Sequence, residues 1–305
     1  MSVDTAFERL AAELTGPVRR AEPLARHTTY RIGGPAALFL ECATVADLSA
    51  ATAILAAENI EWTVLGKGSN VLASDEGYDG AVIILGRDFK RHSVDDDHLR
   101  TGAGVILAAV VQDAFKLGLS GLEFAVGVPG TVGGALAMNA GSRDEWIGSI
   151  VESVTVFKPG VGLIGVRGPE IAWEYRRSDL TARGIIVEAV LRVTDSDQVG
   201  IRRSMEASLR RRKRSQPLNV PSAGSVFVNP DGDSAGRLIE KAGLKGTKVG
   251  GAMVSDVHAN FIVNAGGATA ADVVALVRLI RETVKDANGI ELRPEIRFLG
   301  QFLES

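Results

Sequence analysis

Residues 118–141 read GLSGLEFAVGVPGTVGGALAMNAG and hold a single charged residue, Glu123. A loop this long, glycine-rich and almost free of charge is wasteful in water unless it wraps something. The pyrophosphate and flat ring of a dinucleotide would use both its backbone N–H groups and its apolar side chains. The alternative is a buried hairpin. Glycine is abundant in the whole chain, 35 of 305 residues. It clusters at 66–68, 102–104, 127–134 and 243–251. Glycine is needed where backbone must take positive φ or approach another group closely, and apolar runs flank each cluster, so disorder is not indicated.

The stretch GKGSN at 66–70 follows a predicted strand, Trp62–Leu65. Its N–H groups are of a kind that lines an anion, and small Ser69 leaves room for phosphate. By itself it also reads as a tight turn. It matches neither GxxxxGK[ST] nor GxGxxG before a helix, so neither a P-loop nor a Rossmann fingerprint is indicated.

Working outward, residues 1–20 read as a helix leading into a loop at Pro17 and Pro23. A short strand is predicted at Phe39–Glu41. Thr44 caps a helix, with Asp47 as the capping-box acid and Leu48, Ala51, Ile54 and Leu55 as its apolar face. Strands are predicted at Ala81–Leu85, Val151–Phe157, Ile185–Val193, Ser225–Val228 and Asn260–Val263. A helix after GAG at 102–104 stops at Gly118. A basic helix ends before Pro217, another spans about 234–242, and a last runs from Thr269 to about Ala287, with Thr269 and Asp272 at its start and Gly289 beyond its end. The mixture gives an α+β or α/β class. The change of texture at DSDQVGIRRSMEASLRRRKRSQPL places a domain boundary near 197.

Composition narrows the function. Lys+Arg is 34 and Asp+Glu is 37, a net charge of −3, so no global field draws the chain onto nucleic acid or anionic lipid. The run RRRKR at 210–214 lacks interleaved aromatics and reads as a solvated helix face, not a specific nucleic-acid site. One cysteine, Cys42, excludes an intrachain disulfide and is read as a core residue. His27, His92, His98 and His258 lack metal-ligand spacing, so no metal is expected. No signal-peptide pattern or membrane-length apolar run is present, which makes the cytoplasm the expected compartment.

GKGSNVLASD at 66–75 and GLEFAVGVPGTVGGALAMNAG at 121–141 resemble the FAD-binding segments of the UDP-N-acetylenolpyruvoylglucosamine reductase family. HTTYRIGGPA at 27–36, YRRS at 175–178, QPLNVPSAGSVFVNP at 216–230, LIEKAGLKG at 238–246, HANFIVN at 258–264 and LRPEIRFLG at 292–300 resemble further motifs of that family, in its order. So many ordered motifs, over roughly residues 22–301, are not matched by chance. The resemblance implies an α+β fold: an N-terminal helix and lead-in over 1–24, an FAD-binding domain of the vanillyl-alcohol-oxidase type in two subdomains over 25–197, and a substrate domain over 198–305. It implies noncovalent FAD, NADPH as reducing co-substrate, and reduction of UDP-N-acetylglucosamine enolpyruvate to UDP-N-acetylmuramate for peptidoglycan, by a monomer of the shorter subtype that lacks an extra tyrosine loop.

The same matching implies site residues. Arg176, Ser225 and Glu295 are the expected catalytic group. Tyr30, Arg31, Gly66, Lys67, Gly68, Ser69, Asn70, Gly102, Gly104, Gly127, Val128, Pro129, Gly130, Thr131, Gly133, Gly134, Asn139, Ala140, Gly141 and Ile186 are expected at the cofactor, and Tyr175, Gln216 and Asn229 at the nucleotide sugar. The chemistry is consistent with these types. Hydride addition to an enol ether builds negative charge beside the carboxylate; a fixed guanidinium pairs with that carboxylate, a hydroxyl protonates the carbon, and a carboxyl relays or polarises. Taken singly, Arg176 reads as a loop salt bridge to Glu174 or Asp179, Ser225 as a serine opening a strand, and Glu295 as a surface acid beside Pro294. The chain departs from the family at Val228 and Val257, where lysines are common, at Leu180 and Arg293, and at SRDEW, 142–146. Other readings are an alcohol or sugar oxidase of the same fold and a catalytically silent flavoprotein. No histidine or cysteine stands where covalent flavin attachment is expected, and the intact trio argues against a silent protein.

Overall fold

The computed structural model describes residues 2–142 and 144–302. By compactness the chain groups into two units built from segments distant in sequence: Met1–Arg20, Leu38–Lys67 and Gly80–Arg210 in the first, Ala21–Ala37, Gly68–Asp79 and Arg211–Ser305 in the second. The chain passes from one to the other inside GKGSN, between Lys67 and Gly68. Each unit has its own apolar core.

The first unit begins with the helix Val3–Glu13, which buries Ala6 and Leu10, one turn apart. The helix expected over residues 1–20 is therefore shorter, and Val18–Pro23 is a strand. The reason lies outside the local pattern: Glu41 N–H donates to the Pro17 carbonyl at 3.0 Å, so the segment is held by the neighbouring strand Pro35–Cys42. Pro23 sits at the strand's last position, where its missing N–H is tolerated. The strands Tyr78–Leu85 and Trp62–Val64 complete this four-stranded sheet. Beside it, the helix Val45–Ala57 carries the expected capping box between Thr44 and Asp47.

A five-stranded antiparallel sheet follows, in the order Gly162–Arg167, Val151–Lys158, Ile185–Arg192, His98–Gly102, His92–Asp95. Two of its three inner strands, 151–158 and 185–192, are apolar runs legible in the sequence, whereas the third, 98–102, is not. The outer strands 162–167 and 92–95 expose alternate residues and carried no such signal. The helix Leu107–Lys116 ends as expected, with Gly118 at φ +72°.

In the second unit the helix Ala270–Asn288 has the expected Thr269–Asp272 capping box and left-handed Gly289. It buries Val273, Val277, Ile280 and Val284 along one stripe. With the helix Ala235–Lys241 it accompanies a three-stranded sheet, Lys248–Val249, Ala252–Val254 and Ile262–Asn264. A parallel pair joins Val71–Ala73 to Arg297–Leu299. Between the units' sequences runs the basic helix Gln198–Ser215, which places Arg212, Lys213 and Arg214 in its last turn, the favourable end for cations. Among the described residues no helix is long and apolar enough to cross a membrane.

Candidate active site

In the first unit three glycine-bearing turns converge. Val132 N–H donates to the Val105 carbonyl at 2.9 Å and Gly133 N–H to that of Ala103 at 2.8 Å. Ala103 N–H reaches the Val187 carbonyl at 2.9 Å, so the strand of Ile186 borders the Gly102–Gly104 turn. Gly66 closes in from the 62–64 strand: a Cβ there would lie 2.6 Å from Thr131 Oγ1. Thr131 caps the short helix Val132–Ala137 through the Gly134 N–H. The stretch 118–141 is thus no buried hairpin but a turn followed by a helix. Gly66, Lys67, Gly127, Pro129 and Gly134 are exposed, and Val128, Gly130 and Gly133 are half-buried. This is a glycine-lined surface rather than a sealed core. Gly127 and Gly130 stand at φ +74° and +125°, which side chains resist.

The segment after that helix holds the Arg176 hairpin. Trp173–Glu174 and Arg177–Ser178 pair across a two-residue turn, Tyr175–Arg176. Arg176 is left-handed, at φ +63°. Its Nη1 donates to the Gly141 carbonyl at 2.8 Å, and its guanidinium carbon stands 5.2 Å from the centre of the Tyr175 ring. Ser178, buried, donates its hydroxyl to the Leu136 carbonyl at 2.9 Å. Asn139, left-handed at φ +42°, joins its side chain to Glu174 and Gly148. Ala140 and Gly141 follow it directly.

In the second unit, the rest of GKGSN packs on the 27–31 segment. Thr29 donates its N–H to the Gly68 carbonyl at 3.2 Å and its hydroxyl to that of Ser222 at 2.6 Å. Gly68, at φ +59°, leaves no room for a Cβ, which would sit 2.4 Å from the His27 carbonyl oxygen. Tyr30 is fully buried in this unit's core, where burial pushes its phenol pKa upward; its hydroxyl has no hydrogen-bond partner among the described residues. Arg31 is exposed and left-handed.

The same unit brings Ser225 and Glu295 onto neighbouring segments. Glu295 N–H donates to the Val226 carbonyl at 2.7 Å and Val228 N–H to that of Arg293 at 3.0 Å, with Phe227 opposite Pro294. Pro294 occupies the non-hydrogen-bonded position between those two bonds, where no N–H is called for. The strand expected at Ser225–Val228 is reduced to this one bridge. Asn260 explains why: its carbonyl takes the Val226 N–H, and its buried side chain accepts from Phe227 N–H at 2.9 Å and donates to the Phe227 carbonyl at 2.8 Å. Gly224, at φ +77°, makes the sharp approach to Ser225, and a Cβ on it would lie 4.0 Å from the Ser69 carbonyl oxygen. Asn70 donates its side-chain amide to the Glu295 carbonyl at 3.2 Å, while its own carbonyl accepts from Arg297 N–H at 2.9 Å.

Of the residues expected at the nucleotide sugar, Tyr175 is exposed beside Arg176. Asn229 accepts from Ala235 N–H at 3.0 Å and so fastens the 235–241 helix. Gln216 lies just past the end of the basic helix, where its side-chain oxygen Oε1 accepts from Arg212 Nη1 at 3.4 Å. Asn260 and His258 were not singled out from the sequence beyond their HANF motif. His258 Nδ1 accepts from Asn260 N–H at 3.1 Å. Burial, then the nearby Lys245, holds its pKa below the usual histidine value, so the ring is neutral at pH 7 with its proton on Nε2.

Residues 36–160 match the profile of the FAD binding domain, and residues 216–299 that of the UDP-N-acetylenolpyruvoylglucosamine reductase C-terminal domain. The chain is 45% identical over 294 residues to the UDP-N-acetylenolpyruvoylglucosamine reductase of Heliobacterium modesticaldum, covering 96% of this chain and 94% of that one. The chain belongs to the UDP-N-acetylenolpyruvoylglucosamine reductase family. The reductase of Geobacter metallireducens is 43% identical, with 98% and 99% of the two chains covered. The crystal structure of the reductase from Thermus caldophilus superposes with a TM-score of 0.83 at 39% identity, over 93% of this chain and 99% of that one. The reductase family's two-part composition, a flavin domain followed by a dedicated C-terminal domain, agrees with the α+β class read from the sequence.

Proposed function

We propose that the chain reduces UDP-N-acetylglucosamine enolpyruvate to UDP-N-acetylmuramate, using NADPH and a noncovalently held FAD, in the cytoplasmic synthesis of peptidoglycan precursor. The observation that carries this reading is the pairing that sets Ser225 beside the segment of Glu295, where Glu295 N–H holds the Val226 carbonyl. A hydroxyl and a carboxyl brought onto adjacent backbone, one after a left-handed glycine, suit proton delivery to carbon.

The first unit's residues fit a flavin dinucleotide. Gly66, Lys67, Gly102, Gly104, Gly127, Val128, Pro129, Gly130, Thr131, Gly133, Gly134, Asn139, Ala140, Gly141 and Ile186 are assigned to it, and the exposed backbone at Gly66, Gly127 and Gly134, free of side chains, admits a phosphate and a flat ring. FAD, when bound, supplies the hydride chemistry between NADPH and the substrate carbon. The protein's part is to stabilise charge and move a proton. Arg176, always charged, pairs with the substrate carboxylate as negative charge spreads into it. Ser225 donates its hydroxyl proton to the carbon beside that carboxylate. Glu295 polarises the carboxylate or returns the proton to Ser225. Tyr175, Gln216 and Asn229 are assigned to the nucleotide sugar.

The two halves of the reaction are separable, and this supplies the test. Ser225→Ala should keep its flavin and its rapid bleaching by NADPH. Reoxidation of the reduced flavin by substrate should slow by about 10²–10⁴-fold, the range of a lost general acid. Glu295→Gln should impair the same half and spare the other. Stopped-flow traces recorded without oxygen decide it: unchanged reoxidation in Ser225→Ala removes the serine from the chemistry.

A further inference from the structure

The hairpin that presents Arg176 is fastened to residues 136–141 before, at and after its turn. After the turn, Ser178 Oγ donates to the Leu136 carbonyl at 2.9 Å. At the turn, Arg176 Nη1 donates to the Gly141 carbonyl at 2.8 Å. Before the turn, Asn139 Nδ2 donates to the Glu174 carbonyl at 3.0 Å, and Asn139 Oδ1 accepts from Gly148 N–H at 3.2 Å. Asn139 is 8% exposed, so this side chain is directed into the protein. Its φ of +42° lies in the left-handed region, which asparagine enters more readily than other side chains. Glycine would satisfy that backbone with less strain, and the segment uses glycine freely elsewhere. The side chain therefore has a task.

We propose that Asn139 is a positioning residue for Arg176. Glu174 is the last residue before the Tyr175–Arg176 turn, so fixing its carbonyl fixes the direction from which the turn departs. Gly148 anchors the other side of the amide. A guanidinium fork must meet a carboxylate within about 0.5 Å and 10–20° to use both its N–H groups. Arg176 stands in a two-residue turn and is half-buried, so bonds to the turn's flanks bear on where it points. The amide of Asn139 and the Gly141 carbonyl both constrain it, from the one stretch 139–141. The assignment rests on the reading that Arg176 pairs with the substrate carboxylate. It gives Asn139 a task in substrate chemistry besides the place at the cofactor that the resemblance implies.

The holoenzyme carries the test. Asn139→Asp keeps the shape and the bond from Gly148, but sets a carboxylate oxygen against the Glu174 carbonyl oxygen. Asn139→Gly keeps the left-handed backbone and removes both bonds, so it serves if the aspartate variant fails to fold. Either should slow reoxidation of reduced flavin by substrate about 10–100-fold, the scale of a misplacement near 1 Å. With FAD restored to saturation, reoxidation by substrate should fall at least about fivefold further than bleaching by NADPH. In an Arg176→Ala background, the Asn139 substitution should add less than about a further twofold, because a positioning residue has nothing left to position. Independent, multiplying effects would overturn the proposal, as would flavin loss with normal reoxidation once FAD is restored. If Arg176→Ala itself leaves reoxidation unchanged, the role of Arg176 fails, and this proposal with it. If Arg176→Ala is slow while the Asn139 variants are normal, only this proposal fails.

Discussion

Replacing Gly66 by alanine adds one carbon where the GKGSN turn already touches Thr131. The new Cβ would lie 2.6 Å from Thr131 Oγ1 and 3.4 Å from its Cγ2. Gly66 is not in the left-handed region, so the penalty is one of space alone. Thr131 is 8% exposed and cannot retreat into solvent. If it rotates, it surrenders the bond from Gly134 N–H that caps the 132–137 helix, which costs about 1 kcal/mol. Crowding a packed contact adds about 1–3 kcal/mol. Gly66→Ala should therefore lower stability by about 2–4 kcal/mol. Thr131→Ala alone loses only the cap. In the double variant the obstructing hydroxyl is gone, and the next atom, Thr131 Cβ, stands at an ordinary 3.6 Å. The double variant should then cost no more than Thr131→Ala, a coupling of about 2–4 kcal/mol against the few tenths seen for independent sites. Urea unfolding of the three variants measures this, with an unchanged m-value as the check that only stability has moved. Flavin titration extends it: affinity lost in Gly66→Ala should return in the double variant, because the glycine answers to Thr131. Additive unfolding energies would refute the reasoning, and affinity that stays lost would mean that the added carbon meets the ligand itself.

Two further predictions concern other parts of the chain. Asp47, 2% exposed, accepts from Thr15 N–H and hydroxyl and from Ala43 and Thr44 N–H. Burial pushes its pKa up, but these bonds outweigh it and hold the carboxyl below the usual range. Its contribution is therefore complete above the unfolded value of about 3.9 and is lost as pH falls through the folded value. Asp47→Asn should cost about 1–3 kcal/mol at pH 7, and urea unfolding at pH 7, 4 and 3 should show the gap closing with acid; a constant gap would contradict this. Val228→Lys, opposite Arg293, should lower KM for the nucleotide sugar with kcat unchanged, the mark of added uniform binding. An unaltered KM would point to Arg293, its cross-strand neighbour, as the cation already serving the diphosphate.

Local chemistry made some elements legible without any structure. The Thr44–Asp47 and Thr269–Asp272 boxes, Gly118 and Gly289 bound their helices through bonds made within a few residues. The apolar runs 151–157 and 185–193 belong to central strands because both of their edges are paired within one sheet. Ordered motifs likewise carried the family, since a close approach at Gly66 and a positive φ at Gly224 call for glycine itself. Tertiary structure decided what depends on distant partners. Val18–Pro23 is a strand because residues 35–42 accept it, although its own pattern suggested a loop. Residues 225–228 fall short of a strand because the Asn260 side chain occupies the N–H and carbonyl of Phe227. Segments 21–37 and 68–79 join the C-terminal unit, a grouping that contiguous reading could not deliver. The direction of the two asparagine amides was equally invisible: Asn70 faces Glu295 and Asn139 faces Glu174, 225 and 35 residues away along the chain. The physical reason is the same throughout. Caps, turns and periodicity are settled by neighbours in sequence. A hydrogen bond across such separations forms only after the fold has brought its two ends together.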